Sequence, residues 1–101
     1  MIGQLRTYTI NMGMMESWLK LFRDELAPNL KEAGMSVHTA WVNDEGTKFI
    51  WVRTVGDRSE MEPKQAAFWA SDWFKEHETR VRSHIAHSEV VVLEPFLPDG
   101  V

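Results

Sequence analysis

From Ile2 to Ile10 the side chains alternate in a Thr- and Tyr-containing run, the two-residue period of a strand, and Asn11-Met12-Gly13 ends it. The period then changes. Met15, Trp18, Leu19, Phe22, Leu26 and Leu30 recur at steps of three and four, which predicts one apolar helical stripe from Met14 to Ala33, stopped by Gly34. Such a helix is about 30 Å long, with a bend expected at Pro28, which has no N–H to offer the Asp24 carbonyl. Met35 to Val42 and Thr47 to Val55 are β-branched and aromatic runs around Asn43-Asp44-Glu45-Gly46, residues that tolerate left-handed turn geometry. A hairpin with Val42 opposite Thr47 is the expectation. Ser59 followed by Glu62 is a capping-box pattern, Pro63 is tolerable in a first turn, and Ala66 to Trp69 continue helically. Ser71-Asp72 then caps a helix carrying Phe74, Val81 and Ile85 on one stripe, with Trp73, Arg80 and His84 offset to the side. A Val-rich strand, Ser88 to Phe96, closes the chain and is stopped by Pro95 and Pro98.

Strand, helix, hairpin, one or two helices and strand is the order of a ferredoxin-like split βαββαβ, an α+β fold with an antiparallel sheet and helices on one face. Strand parity sorts the side chains between the two faces. Leu5, Val37, Thr39, Trp41, Lys48, Ile50 and Val52 form the set expected beneath the helices, with the Trp41 ring in the core. Gln4, Arg6, Tyr8, Ser36, His38, Ala40, Phe49, Trp51 and Arg53 then share the other face. Phe49 and Trp51 left in water would be a sizeable apolar patch. A second copy of the chain is expected to cover it, giving a homodimer.

A chain of 101 residues, 44% apolar, makes one domain over residues 1–101 with an adequate core. The absence of cysteine excludes disulfides, thiolate nucleophiles, cysteine-bound zinc and iron–sulfur clusters, and fits a reducing compartment. Met1 to Arg6 shows no basic stretch followed by an apolar segment, and the apolar runs, such as Val90 to Leu93, are short, so a soluble, untargeted, cytoplasmic protein with no membrane association is expected. With a formal charge of −4 and scattered Lys and Arg there is no basic patch for a phosphate backbone, and no nucleic-acid partner is expected. His84 and His87 stand at the i, i+3 spacing of a helix face, but no HExxH pattern exists and His77 lies two turns from His84. These read as surface or cap histidines that complement a helix C-terminus, and no metal site is expected.

The run Gln4-Leu5-Arg6-Thr7-Tyr8-Thr9-Ile10 with Gly13, then Trp18, Leu19 and Phe22 on a helix, Pro28, Gly34, Ala40-Trp41 before the turn, and Asp72-Trp73 near the head of the last helix resembles the NIPSNAP family over nearly the whole chain. The resemblance implies a dimeric α+β barrel in which two sheets face each other and each protomer encloses a cavity. It carries no agreed catalytic set, and His38 stands outside the family's motif. The wider superfamily hosts cofactor-free aromatic oxygenases, ring isomerases, haem-handling enzymes and non-catalytic stress proteins, and the fold does not choose among them.

The chemistry is therefore argued from the residues. His38, Tyr8 and Arg6 form the candidate catalytic set, with Arg53, Phe49, Trp51, Gln4 and Trp73 as substrate-binding residues on one concave face. His38 carries a proton near neutral pH, Arg6 or Arg53 stabilises a developing enolate or phenolate, and Tyr8 fixes the ligand. Trp69 and Trp73 lie where a lid would sit. The leading expectation is a homodimer that binds a small hydrophobic or aromatic molecule and transforms it without a cofactor, as an isomerase, cyclase or oxygenase. One rival is a non-catalytic dimerisation module in which the polar groups pair with Glu89, Glu94 and the partner copy. Another is a haem-handling protein using His38 or His84.

Overall fold

Four strands, β1 (Ile2–Ile10), β2 (Ser36–Val42), β3 (Lys48–Gly56) and β4 (Ile85–Leu93), form one antiparallel sheet in the order β2-β3-β1-β4 in the computed structural model, which describes residues 1–97. This is the ferredoxin-like α+β arrangement expected from the element order. Between β1 and β2 run α1 (Met15–Leu21), a π-helical turn (Phe22–Leu26) and α2 (Ala27–Glu32). The backbone stays helical through both junctions, so the long apolar stripe is a single path with one widened turn. Ala27 N–H donates to the Phe22 carbonyl, five residues back, just before Pro28 removes a donor. The bend expected at Pro28 is thus absorbed one turn earlier. Gly34 ends the path at a φ of 90°, where only glycine sits without strain.

The hairpin forms with a wider loop than expected. Val42 stands opposite Phe49, not Thr47, because the Asn43 side-chain oxygen accepts from both Thr47 N–H and Lys48 N–H at 2.9 Å and holds the loop open. A shift of two residues leaves the faces of this part of the hairpin unchanged. A second irregularity does change them. Between Val37 and Thr39 the β2–β3 register slips, so that Val37 faces Arg53 while Thr39 faces Val52. The bulge turns His38 away from the side that Ala40 and Trp51 share.

Two helices, α3 (Arg58–Trp69) and α4 (Asp72–Ser83), cover the same side of the sheet as α1 and α2. The cap of α3 lies two residues earlier than the Ser59–Glu62 pattern, on Asp57 and Glu60, where the Asp57 N–H donates to Glu60 Oε2 at 2.7 Å. Pro63 accordingly falls inside the helix, at an exposed position. Ser71 caps α4 as expected, its hydroxyl accepting from Phe74 N–H. That helix ends at Ser83, however, and Ile85 begins β4 opposite Ile10, because a long edge of β1 is open for pairing from Gly3 onward. Ile85 and His84 are therefore not on the helical stripe, and His84 and His87 share no helix face. The last strand runs Ile85–Leu93, shifted toward the N-terminus from Ser88 to Phe96, and Pro98 lies outside the described residues.

The core reverses the expected assignment of the faces. Tyr8, Phe49, Trp51, Arg53 and Val55 are buried under the helices with Trp18, Phe22, Leu26 and Leu30, whereas the Trp41 side is open. Trp41 itself is 66% exposed. The reason is area: Tyr8, Phe49 and Trp51 present far more apolar surface than Leu5, Ile50 and Val52, and the helical stripe is itself rich in rings. Edge-to-face contacts join them, with ring centroids 5.7 Å apart for Tyr8–Trp18, 4.7 Å for Phe22–Phe49 and 5.0 Å for Phe22–Trp51. Among the described residues no helix is long and apolar enough to cross a membrane.

Candidate functional site

A half-enclosed cavity of about 450 Å³ lies between the sheet and the helical layer. Arg6 and Tyr8 of β1 and Trp51 and Arg53 of β3 form its floor, since alternate residues of adjacent strands point to the same side. Trp18 and the Leu26–Leu30 turn wall one side, and Phe68 and Trp69 of α3 with Phe74 and Val81 of α4 wall the other. Arg82, His87 and Ser88 stand along its remaining rim.

Four of the eight expected site residues thus converge: Arg6, Tyr8, Trp51 and Arg53. Gln4 sits behind them, 3% exposed, as an acceptor for both guanidiniums. Phe49 is a packing residue against Trp18 and Phe22, outside the cavity wall. Trp73 is placed elsewhere, its indole N–H donating to Glu25 Oε1 and its ring stacked on His77. His38 does not belong to the constellation. It lies on the opposite, open face, in a cleft with Gly3, Val52, Thr54 and Leu93, because the bulge shifts its parity. An acid–base role beside Tyr8 and Arg6 is geometrically excluded for it.

The polar floor is tightly organised. Arg53 Nε–H donates to Gln4 Oε1 at 2.9 Å and its Nη2 to Gln65 Oε1 at 2.6 Å. Arg6 donates to the same two oxygens, at 3.1 and 3.3 Å, and through Nη1 to the Tyr8 oxygen at 3.1 Å. Gln65 Oε1 also accepts from Gln4 Nε2 at 3.2 Å. The Arg53 guanidinium lies 5.9 Å from the Trp51 ring centroid, within cation–π range. Burial pushes its pKa down to about 10, and the positive charge of Arg6 acts in the same direction. Glu89 and Glu94 do not neutralise the pair: Glu89 lies 3.5 Å from His87 and Glu94 pairs with Arg58.

Sequence reasoning missed Gln65, Phe68, Phe74 and the wall role of Trp18, and did not assign Trp69 to binding. Helical spacing carried a signal for two of them, since Gln65 stands three and four residues before Phe68 and Trp69 and so shares their face. The histidines of the last third are occupied. His84 Nδ1 must carry a proton, because it faces the Arg80 carbonyl at 2.7 Å, and its Nε2 meets the Ser17 hydroxyl at 2.8 Å. Both ring nitrogens are thereby engaged, so His84 presents no free lone pair to a haem iron. No group of three or more His, Cys, Asp or Glu side chains suited to a metal occurs among the described residues.

The NIPSNAP family profile matches residues 3–98. The chain belongs to the NIPSNAP family. Its fold is shared with an uncharacterised NIPSNAP domain protein from Burkholderia xenovorans, at 25% identity and a TM-score of 0.86 over 98% of this chain and 100% of that one. A NIPSNAP family protein from Agrobacterium tumefaciens superposes equally well, at 23% identity and a TM-score of 0.86 over 96% of both chains. SnoaB, a cofactor-independent oxygenase from Streptomyces nogalater, has the same fold at 15% identity and a TM-score of 0.74, over 95% of this chain and 93% of that one. No curated protein matches the sequence. The NIPSNAP match extends over all four strands and four helices, so the cavity is built entirely from elements within the family's domain.

Proposed function

We propose that this NIPSNAP protein binds a hydrophobic or aromatic small molecule in the cavity between its sheet and its helices. The observation that carries this reading is the wall itself: Trp51, Trp69, Phe68 and Phe74 surround a space of about 450 Å³ whose floor holds Arg6, Tyr8 and Arg53. Aromatic walls around a few convergent polar groups are a usual design of a ligand site. Turnover without a cofactor, as in the oxygenase of the same fold, is the chemical extension of this reading. Within the cavity Tyr8 is the proton-carrying group held in place, its oxygen accepting from Arg6 so that its own O–H is turned to donate. His38 has no part in it. Titration with planar aromatic compounds, followed by tryptophan fluorescence and by melting temperature, tests the proposal. A binder that quenches fluorescence and raises Tm supports it, and a broad panel with no binder refutes it.

The open sheet face favours self-association as a second feature of the function. Leu5, Trp41, Ile50, Val52 and Val91 lie on the side that no helix covers, and Trp41 and Val91 are exposed. A second copy packed sheet to sheet buries this apolar surface, and leaves the ligand cavity on the outer side of each sheet. The mass in solution, by light scattering, is the test, and a monomer at micromolar concentration would refute it.

A further inference from the structure

Among the described residues, the two arginines of the cavity floor, Arg53 buried and Arg6 half-buried, have no counter-charge. Of the six arginines in the chain, Arg23, Arg58, Arg80 and Arg82 each form an ion pair, with Asp24, Glu94, Glu25 and Glu78 respectively. Those four sit toward the surface, where a partner contributes little. Arg6 and Arg53 are the two that would gain most from an anion, and among the described residues neither meets one. Every hydrogen bond they make ends on a neutral oxygen, of Gln4, Gln65 or Tyr8. Both guanidiniums are also bridged by the same two amide oxygens, which holds like charges close together in a site where Arg53 is only 3% exposed.

The remaining polar atoms of the wall point to the same kind of ligand. These contacts use only part of the N–H donors that two guanidiniums present. The Tyr8 oxygen accepts from Arg6 and keeps its proton to give. The guanidinium and phenol donors of the floor therefore meet no matching anion among the described residues, in a setting where unmatched buried charge is unfavourable. A carboxylate supplies what is missing: one negative charge, planar, with two oxygens that suit a guanidinium fork.

We infer that the natural ligand is an aromatic or polycyclic monocarboxylic acid whose carboxylate seats on the Arg6–Arg53 pair while its ring system lies against Trp51, Trp69 and Phe68. The inference rests on the proposal that the cavity binds an aromatic molecule and adds the charge and orientation of that molecule. The preference for a single carboxylate over a phosphate monoester follows from the aromatic wall, which disfavours burial of a second negative charge.

Matched probes separate the two readings. 2-Naphthoate and anthracene-2-carboxylate are titrated beside their carboxamides and beside 2-naphthyl phosphate, with dissociation constants taken from tryptophan quenching and calorimetry. The acids are expected to bind about tenfold or more tightly than the amides, the increment of charge-assisted hydrogen bonds over neutral ones. Equal binding of acid and amide overturns the carboxylate inference and leaves the cavity proposal standing. Failure of all probes to bind overturns both. Tighter binding of the phosphate than of the acids overturns the monocarboxylate class. The Gln65→Glu variant provides an arm that does not depend on removing a guanidinium. Its carboxylate would occupy the position of an oxygen that already accepts from Arg6 and Arg53. This internal counter-ion should raise Tm and reduce acid affinity about tenfold or more, a larger loss than that of the amides. An unchanged acid preference in Gln65→Glu overturns the inference.

Discussion

Replacing Arg53 by Met should destabilise the fold modestly at most, although Arg53 is among the most buried side chains in the protein. A folded-state pKa of about 10, well below the ordinary arginine value, means that the charged form present at neutral pH is disfavoured in the fold. At 1.36 kcal/mol per unit this is about 3 kcal/mol of destabilisation. Arg53→Met removes that burden and keeps an unbranched stem beside Trp51. What is lost is the pair of hydrogen bonds to Gln4 and Gln65, each about 1.5–3 kcal/mol for a charged donor. Neither acceptor is orphaned, because both oxygens still receive Arg6, and Gln65 also receives Gln4. The opposing contributions leave a net loss of about 0–3 kcal/mol, at or below the low end of the about 2–5 kcal/mol of an ordinary core truncation. Urea unfolding at pH 7 measures it through the midpoint at constant slope. The pH dependence has a definite sign. Above about pH 10, and up to the higher pKa of the unfolded chain, the unfolded chain holds the Arg53 proton and the folded chain has lost it, so the wild type gains on the variant as pH rises through that window. A loss above about 3 kcal/mol at pH 7, or a wild-type-to-variant difference flat up to about pH 11, would show that the buried guanidinium supports the fold and would refute the argument.

Three further outcomes follow from the geometry. Trp41→Ser, on the open face, should lower the self-association constant about tenfold or more while leaving the cavity's affinity for an aromatic probe unchanged, as read by sedimentation and fluorescence titration. Gly34→Ala forces a side chain into a φ of 90° and places its Cβ 2.9 Å from Lys64 Cε, so Tm should fall by about 5–10 °C, corresponding to about 1–2 kcal/mol in a domain of this size. Glu25 is held below its ordinary value of 4.5 first by its hydrogen bond from Arg80, with Trp73 N–H assisting. Its contribution is therefore present above that value and lost as pH falls below it, and Glu25→Gln should flatten the acid limb of a stability-against-pH curve.

The elements of this protein are written in its local sequence, because each is specified by interactions a few residues long. Period-two alternation gave β1 and the hairpin, the three-and-four spacing from Met15 to Leu30 gave the long helix, and Gly34 and Ser71 marked boundaries that the structure keeps. The grouping of Arg6, Tyr8, Trp51 and Arg53 was legible for the same reason, since strand parity alone puts them together. What parity cannot say is which face the helices choose. That depends on the total area that four helices and two candidate faces bury together, and the rings of Tyr8, Phe49 and Trp51 outweighed the aliphatic set around Leu5 and Ile50. His38 was lost to one slipped residue pair, a bulge that leaves no mark in the hydrophobic pattern yet reverses a side chain's face. Gln65 lies far along the chain from Gln4 and Arg6, and only tertiary packing makes its oxygen the common acceptor of two arginines. The sequence by itself determined the strands, the helices and, the bulged start of β2 apart, the membership of each strand face. The tertiary structure decided which face is core, where the cavity lies, and that Arg6 and Arg53 on its floor meet no anion among the described residues, because burial and charge balance are sums over contacts distant in sequence.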